Sequence, residues 1–249
     1  NIDDAKKRKF HIKEQECVYS YSPESNNIKS KQISIENLFT TESILKKEMK
    51  SFEFRESQYH FSRDCFNIIR NNGILIAEAG TGLGKSLGYL SASILNDKHK
   101  VIISTSTHNL QSQLLYNDVP NIAKVLNKPI KAVLIKGKNN YLCYEKLILL
   151  INNVEHWFST EDIKEIMTLL VWANCTMSGD VNECNSFNIK RNIRIWDLLK
   201  YDAESCFKHD EKNNKKCFYQ NMIKHTTDAN IFIINHALLV SNINKTDSF

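Results

Sequence analysis

Four of the seven glycines of this 249-residue chain fall within nine residues, at positions 80, 82, 84 and 88. Glycine loses more backbone entropy on folding than any other residue, so this concentration indicates that the backbone itself has a task there. The segment 79–86 reads Ala-Gly-Thr-Gly-Leu-Gly-Lys-Ser. In a loop of this pattern, successive backbone N–H groups can point at an anion, and the helix that follows adds the positive end of its dipole. The sequence therefore predicts a phosphate-binding loop.

The residue types at the end of this loop specify a nucleotide more narrowly than the glycines do. Lys85 can bring a positive charge to the β- and γ-phosphates, and the hydroxyl of Ser86 can ligate Mg²⁺. We therefore predict that the loop binds ATP and Mg²⁺ and that Lys85 and Ser86 are its catalytic residues. The predicted nucleotide contacts within the loop are Ala79, Gly80, Thr81, Gly82, Leu83, Gly84, Lys85 and Ser86.

Short apolar runs alternate with helical patterns around the loop. Runs of this length bounded by polar residues and glycine are typical of buried strands, and their alternation with helices indicates an α/β domain with a parallel sheet. The predicted strands are 73–78, 101–105, 130–135 and 230–235. Helices are predicted from about Ile35, from the end of segment 54–58 toward Ile69, from about Lys85, and from Leu110 to Tyr116.

The alternation stops between residues 141 and 228, where the pattern is helical and bears cysteines. We predict a connector over 1–35, the first part of the α/β domain over 36–140, a helical insertion over 141–228, and a return to the α/β domain over 229–249. No apolar run has the roughly 18 residues that a membrane span needs. Seven irregularly spaced cysteines without a secretion signal favour reduced thiols or metal ligands in a cytoplasmic protein. The absence of an initiator methionine leads us to expect that the chain starts inside a longer protein.

Several segments, in order along the chain, resemble the DinG/XPD family of superfamily 2 helicases. Phe54–Gln58 resembles the family's adenine-sensing Q motif, and Glu78–Leu90 resembles its form of the phosphate loop. Ser104–Thr107, with the following Leu110–Leu114, resembles motif Ia. Three further segments are similar to family sequences: 136–143, 176–180 and 235–239.

The resemblance implies a RecA-like P-loop NTPase domain in an ATP-dependent DNA helicase, with the helical insertion in the place of the family's iron–sulfur domain. It implies that Gln58, with Arg55, contacts the adenine, and that Ser104, Thr105, Ser106 and Thr107 contact the DNA backbone. The implied partners are single-stranded DNA and a second RecA-like lobe of the same protein, which would be a monomer moving 5′ to 3′. The Walker B Asp-Glu pair that catalysis needs has no counterpart after His236, so we expect the chain to be an incomplete, inactive part of the motor.

The resemblance also implies metal ligands, although incompletely. Cys143, Cys206 and Cys217 match three of the four cysteines that hold a 4Fe–4S cluster in the iron–sulfur members. Glu211 occupies the position of the remaining one. Three thiolates do not provide the usual Cys₄ ligation. A divergent cluster, a zinc site and a relic without metal all remain open.

Three other functions fit parts of the pattern. A DinG-like translocase without a cluster could serve as an accessory of another complex, for example a CRISPR-associated one. A nucleic-acid-binding module without catalysis would not need to keep Lys85 and Ser86. A P-loop kinase would not account for Gln58, Ser104–Thr107 and the Asn235-His236 segment in this order.

Overall fold

The computed structural model describes residues 16–23, 33–40, 43–49, 52–96, 100–153, 158–206 and 217–243. These residues form two compact units. The sheet unit comprises residues 18–134 and 228–249, and the helical unit comprises residues 1–17 and 135–227.

The sheet unit alternates strands and helices along the chain. Its strands are β1 (Val18–Tyr21), β2 (Val101–Thr105), β3 (Ile130–Ile135) and β4 (Ile231–Asn235). Its helices are α1 (Ile35–Leu38), α2 (Ile44–Glu48), α3 (Glu56–Asn71), α4 (Lys85–Leu95), α5 (His108–Gln113), a π-helical turn (Leu114–Asp118) and α6 (Val119–Leu126), with α12 (His236–Ile243) after β4.

The four strands form one mixed sheet in the order β1-β3-β4-β2. Strand β2 pairs in parallel with β4, and β1 pairs antiparallel with β3. Strand β1 lies in the stretch predicted as a connector, where no strand was predicted. The α/β class expected from the sequence is confirmed, and the arrangement is consistent with a RecA-like helicase domain.

The predicted strand at residues 73–78 is wrong for this structure. These residues are outside any strand, and the side chains of Ile74 and Ile76 are 90% and 95% exposed. A strand requires a neighbour that takes up its backbone hydrogen bonds, and residues 73–78 pair with no strand of the described sheet. Apolar composition alone was therefore an incorrect signal here, both for a strand and for burial.

Helices α3 and α4 pack closely on either side of the phosphate loop segment. A Cβ atom on Gly88 would lie 2.8 Å from Phe61 and 2.9 Å from the Ser62 hydroxyl, so only glycine permits this approach. The Ser62 hydroxyl in turn donates to the backbone oxygen of Gln58 over 2.7 Å. The start of α4, where the loop ends, is thereby held against the start of α3.

The core of the sheet unit is formed by buried aliphatic residues of the sheet and of the helices that cover it. Leu90, Leu114, Val119 and Ile233 have no exposed side-chain surface. Burial of this kind stabilises a fold by about 25 cal/mol per Å² of apolar surface. The phosphate loop is therefore attached to a packed element at its helical end.

The helical unit contains α7 (Tyr144–Ile151), α8 (Thr160–Ala173), α9 (Ile193–Leu199), α10 (Ala203–Cys206) and α11 (Phe218–Thr226). Residues 141–143 form isolated antiparallel bridges with Asp180, Lys200 and Cys217 in turn. Lys136 and Asp180 form a buried ion pair, with 8% and 3% of their surface exposed. The segment leading into α7 therefore contacts three separate parts of this unit.

None of the helices in the described ranges combines the length and the apolar character that crossing a bilayer would require.

Candidate functional site

The phosphate loop owes its shape to glycines in a conformation that other residues rarely adopt. Gly82 and Gly84 have φ angles of 80° and 81°, in the left-handed region. Gly84 is also the N-cap of α4, so the chain turns from loop into helix at this residue. The cluster of glycines detected in the sequence thus has a definite backbone cause at the start of the helix.

The Lys85 ammonium lies over the loop and holds its first residues. It donates hydrogen bonds to the backbone oxygens of Ala79 over 2.7 Å and Gly80 over 3.1 Å. Thr81 and Gly82, the next two residues of the loop, are exposed, and Leu83 is half-buried. An ammonium group has three N–H donors on a rotatable stem, so the same group can reach an anion bound by the loop.

Two side chains from the start of α3 and the residues before it hold the far side of the loop. The Gln58 amide, which is 4% exposed, donates to the backbone oxygen of Gly84 over 3.0 Å. The Arg55 guanidinium donates to the backbone oxygen of Gly82 and lies 3.7 Å from the Glu53 carboxylate. The structure thus places Gln58 and Arg55, the two predicted adenine contacts, against the loop. The assignment of Gln58 to adenine recognition remains a prediction.

Sequence reasoning missed one acidic residue beside the loop. Asp118, at the end of the π-helical turn, accepts a hydrogen bond from the Gln113 amide over 3.2 Å and one from the Ser86 hydroxyl. Burial raises the pKa of its carboxyl above the ordinary value, and the two hydrogen bonds oppose this. Burial likewise raises the pKa of Tyr89, whose hydroxyl also interacts with Ser86. No sequence signal marked Asp118, because it lies more than thirty residues from the loop in an ordinary helical pattern.

The segment predicted to contact DNA lies where β2 ends and α5 begins. Thr105 is 4% exposed and its hydroxyl donates to the backbone oxygen of Thr107 over 3.1 Å. The Thr107 hydroxyl oxygen accepts from the Leu110 backbone N–H, which makes Thr107 the N-cap of α5. Ser106 is exposed. The structure therefore brings the four residues together at one edge of the sheet but gives them different surroundings.

Ser104 has a side-chain partner that the sequence analysis did not assign to a site. Its hydroxyl oxygen lies 2.7 Å from Nδ1 of His236, which follows directly after β4. The pairing of Ser104 with Ile234 in the parallel register brings the two strand ends to the same edge. Only knowledge of which strands are neighbours could have joined two residues that are 132 positions apart.

Two of the three proposed metal ligands are brought together. Cys143 and Cys217 face each other in an antiparallel bridge. The side chain of Cys206 and residue Glu211 lie outside the described residues. In the described ranges no three histidine, cysteine, aspartate or glutamate side chains converge as a metal site would require.

Three further cysteines belong to the helical unit, Cys17, Cys175 and Cys184, and among the described residues none of them joins Cys143 and Cys217 in a metal site. Cys175 and Cys184 are buried, and burial raises the pKa of the Cys184 thiol, which disfavours the thiolate that a metal needs. Within the part of the chain that the structure describes, the residues thus do not fit the Cys₄ ligation of a 4Fe–4S cluster.

Comparison with known proteins assigns the family. No family model matches the chain. It is 33% identical over 215 residues to the ATP-dependent DNA helicase YoaA of Haemophilus influenzae, an alignment that covers 86% of this chain and 33% of that protein. It is 32% identical over 210 residues to the protein of the same name from Escherichia coli, covering 82% of this chain and 32% of the relative. It is 29% identical over 236 residues to the 3′-5′ exonuclease DinG of Bacillus subtilis, covering 94% of this chain and 25% of that protein.

The chain thus spans no more than about a third of the length of these relatives. The alignments nevertheless extend over 82–94% of the chain. The resemblance seen in the sequence is therefore confirmed: the chain belongs to the DinG-like family of DNA helicases.

Proposed function

We propose that this chain is the ATP-binding front part of an ATP-dependent DNA helicase that moves 5′ to 3′ on single-stranded DNA. The observation that carries the proposal is the position of Lys85 and Ser86 at the end of a glycine-shaped loop, in a chain of the DinG-like family. We further propose that the protein is a monomer and acts on DNA in the cytoplasm.

Each residue of the loop would have a separate task when ATP and Mg²⁺ are bound. ATP with its Mg²⁺ supplies the phosphoryl group whose transfer to water drives the motor. The backbone N–H groups of residues 80–84 would hold the phosphates, and Lys85 would exchange its carbonyl partners for phosphate oxygens. Ser86 would direct a lone pair of its hydroxyl oxygen to Mg²⁺ while its O–H donates to the Asp118 carboxylate.

Gln58 and Arg55 would hold the loop against the start of α3. Their hydrogen bonds to Gly84 and Gly82 fix backbone carbonyls on the outside of the loop, which leaves the N–H groups facing inward. The amide oxygen of Gln58 remains able to accept from an adenine amino group, since its bond to Gly84 uses only the nitrogen.

Hydrolysis also needs groups that the described residues do not provide. In this class of motor a Walker B Asp-Glu pair holds Mg²⁺ and orients water, and arginines come from a second lobe. We therefore propose that the second RecA-like lobe belongs to the same protein. The chain by itself is expected to bind nucleotide weakly and not to turn over.

The test is ATP hydrolysis by the full-length natural protein, with and without single-stranded DNA. We expect strong stimulation by DNA, and a loss of activity on the order of a hundredfold or more in Lys85→Ala, because a preorganised charge is removed from the developing phosphate charge. Lys124→Ala is the matched control, since Lys124 is an exposed lysine on α6 of the same unit. DNA-independent hydrolysis, or hydrolysis that survives in Lys85→Ala, would refute the helicase proposal.

A second candidate is a translocase without a cluster that serves as an accessory of another complex. The glutamate at position 211, in place of the family's cysteine, favours it. Such a protein would hydrolyse ATP in the presence of DNA and yet fail to separate a duplex on its own. A strand-separation assay on the same preparation distinguishes the two candidates.

A further inference from the structure

The Ser104–His236 pair lies at the edge of the sheet where the parallel strands β2 and β4 end. In open α/β sheets this carboxyl edge is where ligands bind. Ser104 is half-buried and His236 is exposed. The pair is therefore accessible and is built from two neighbouring strands.

A serine and a histidine at 2.7 Å could suggest a nucleophile and its base. The second ring nitrogen lacks, among the described residues, the partner that such chemistry needs. In a nucleophilic dyad one ring nitrogen faces the hydroxyl and the other is held by a third group, usually a carboxylate. Here Nδ1 faces the hydroxyl, and within the described residues no hydrogen bond holds Nε2. The pair is more suitable for binding than for bond breaking.

The tautomer of the ring decides which atom of the pair donates outward. A neutral imidazole carries one proton, and the partner of one nitrogen decides where the proton of the ring lies. When the Ser104 hydroxyl donates to Nδ1, the ring proton is on Nε2 and faces away from the serine. The outward donor is then the histidine, and the serine hydroxyl has no proton left for a ligand.

The neighbouring hydroxyls support this division of tasks. The Thr105 proton is committed to the backbone oxygen of Thr107, and its side chain is buried, so it cannot reach a ligand. The Thr107 oxygen accepts from Leu110 but keeps its own proton free, and Ser106 is exposed. The edge thus offers hydrogen-bond donors at Ser106, Thr107 and Nε2 of His236, and donors of this kind suit phosphate oxygens.

We propose that His236 binds a backbone phosphate of single-stranded DNA through Nε2, with Ser104 acting as the residue that orients the ring. The inference rests on the proposed function and adds His236 to the predicted contacts. Ser106 and Thr107 remain direct contacts, whereas Ser104 acts through the histidine and Thr105 makes no contact.

Two substitutions separate binding from ring orientation. In His236→Gln the amide nitrogen can take the place of Nε2, and in His236→Asn the shorter amide can take only the place of Nδ1. Binding of a labelled single-stranded oligonucleotide to the full-length natural protein, without nucleotide, is measured by fluorescence anisotropy. We expect His236→Asn to weaken binding about tenfold, as for the loss of one hydrogen bond to a charged group, and His236→Gln to keep most of it.

The control is His225→Asn, an exposed histidine on α11, which should bind as the wild type does. Equal binding by wild type and both His236 variants would overturn the inference, as would retention in His236→Asn with loss in His236→Gln. Equal loss in both variants would also overturn it, because the ring would then serve packing alone. A wild type that binds no DNA would instead refute the proposed function, so the two failures are distinguishable.

Discussion

The side-chain nitrogen of Gln58 donates to the backbone oxygen of Gly84 over 3.0 Å, and a Cβ atom on Gly84 would lie 2.1 Å from that nitrogen. The contact joins the start of α3 to the last residue of the phosphate loop. It leaves no room for a side chain at position 84, and it makes the amide of Gln58 part of the wall of the loop.

We expect Gly84→Ala to destabilise the sheet unit by at least about 1–2 kcal/mol, the cost of a left-handed backbone for a residue with a Cβ atom. Displacement of Gln58 adds to this cost. Urea unfolding followed by circular dichroism measures the change. Gly80→Ala is the control, since a Cβ atom there would meet nothing within 4 Å. Equal stability of the two variants would show that Gly84 is not constrained.

The buried ion pair of the helical unit should be far more sensitive than an exposed one. Asp180→Ala leaves the Lys136 ammonium buried without its partner, and breaking such a pair costs about 3–5 kcal/mol. Asp197→Ala removes the partner of Lys200 from a largely exposed pair at 2.7 Å and should cost less than about 1 kcal/mol. Unfolding in urea compares the two variants directly. A cost for Asp180→Ala as small as that for Asp197→Ala would contradict the structural importance of the buried pair.

Asp118 should make stability depend on pH in a definite direction. Burial raises the pKa of its carboxyl above the ordinary value of 3.8, so the folded chain holds this proton more tightly than the unfolded chain does. Ionisation therefore lowers the free energy of unfolding as the pH rises above that value. Asp118→Asn, which cannot ionise, should be at least as stable as the wild type at pH 7. This advantage should disappear below about pH 4.

Urea unfolding of wild type and Asp118→Asn at several pH values tests this expectation. A variant that is less stable than wild type at every pH would mean that the hydrogen bonds from Gln113 and Ser86 outweigh the cost of burying the charge. Asp64→Asn is a suitable control on α3, because that carboxylate is 53% exposed.

The cysteine set should not hold a 4Fe–4S cluster in the natural sequence. Anaerobically purified full-length protein is expected to contain less than about one iron per chain and to lack strong absorbance near ~400 nm. Glu211→Cys supplies a thiolate at the family position and should increase both quantities. A brown natural protein with about four irons per chain would show instead that a residue outside the family positions completes the site.

Strand prediction from the sequence succeeded where a neighbouring strand was available. The runs at 101–105 and 130–135 are strands as predicted, and the run at 230–235 forms a strand from Ile231. The run at 73–78 is similarly apolar but forms no strand, because strand pairing depends on elements that are distant in the chain. Strand β1 shows the converse, since its few residues become a strand only by pairing with β3.

Helical prediction was limited by caps that divide an apolar stripe. The helix predicted from about Ile35 is two short helices in the structure. Each begins at a serine whose side-chain oxygen accepts from a backbone N–H: Ser34 caps α1, and Ser43 caps α2. The glycines of the loop were recognisable because their backbone need is local. The contact of Asp118 with Ser86 and that of Ser104 with His236 were not, because both join residues through the folded chain.

The exposed isoleucines of residues 73–78 bear on how the isolated chain behaves in solution. Ile74 and Ile76 present nearly all of their surface to water, and Ile102 of β2, at the end of the sheet order, is 53% exposed. Exposed apolar side chains and unpaired strand edges each favour association between copies. Self-association of the purified chain, measured as a function of protein concentration, would thus report on this segment rather than on the stability of the fold.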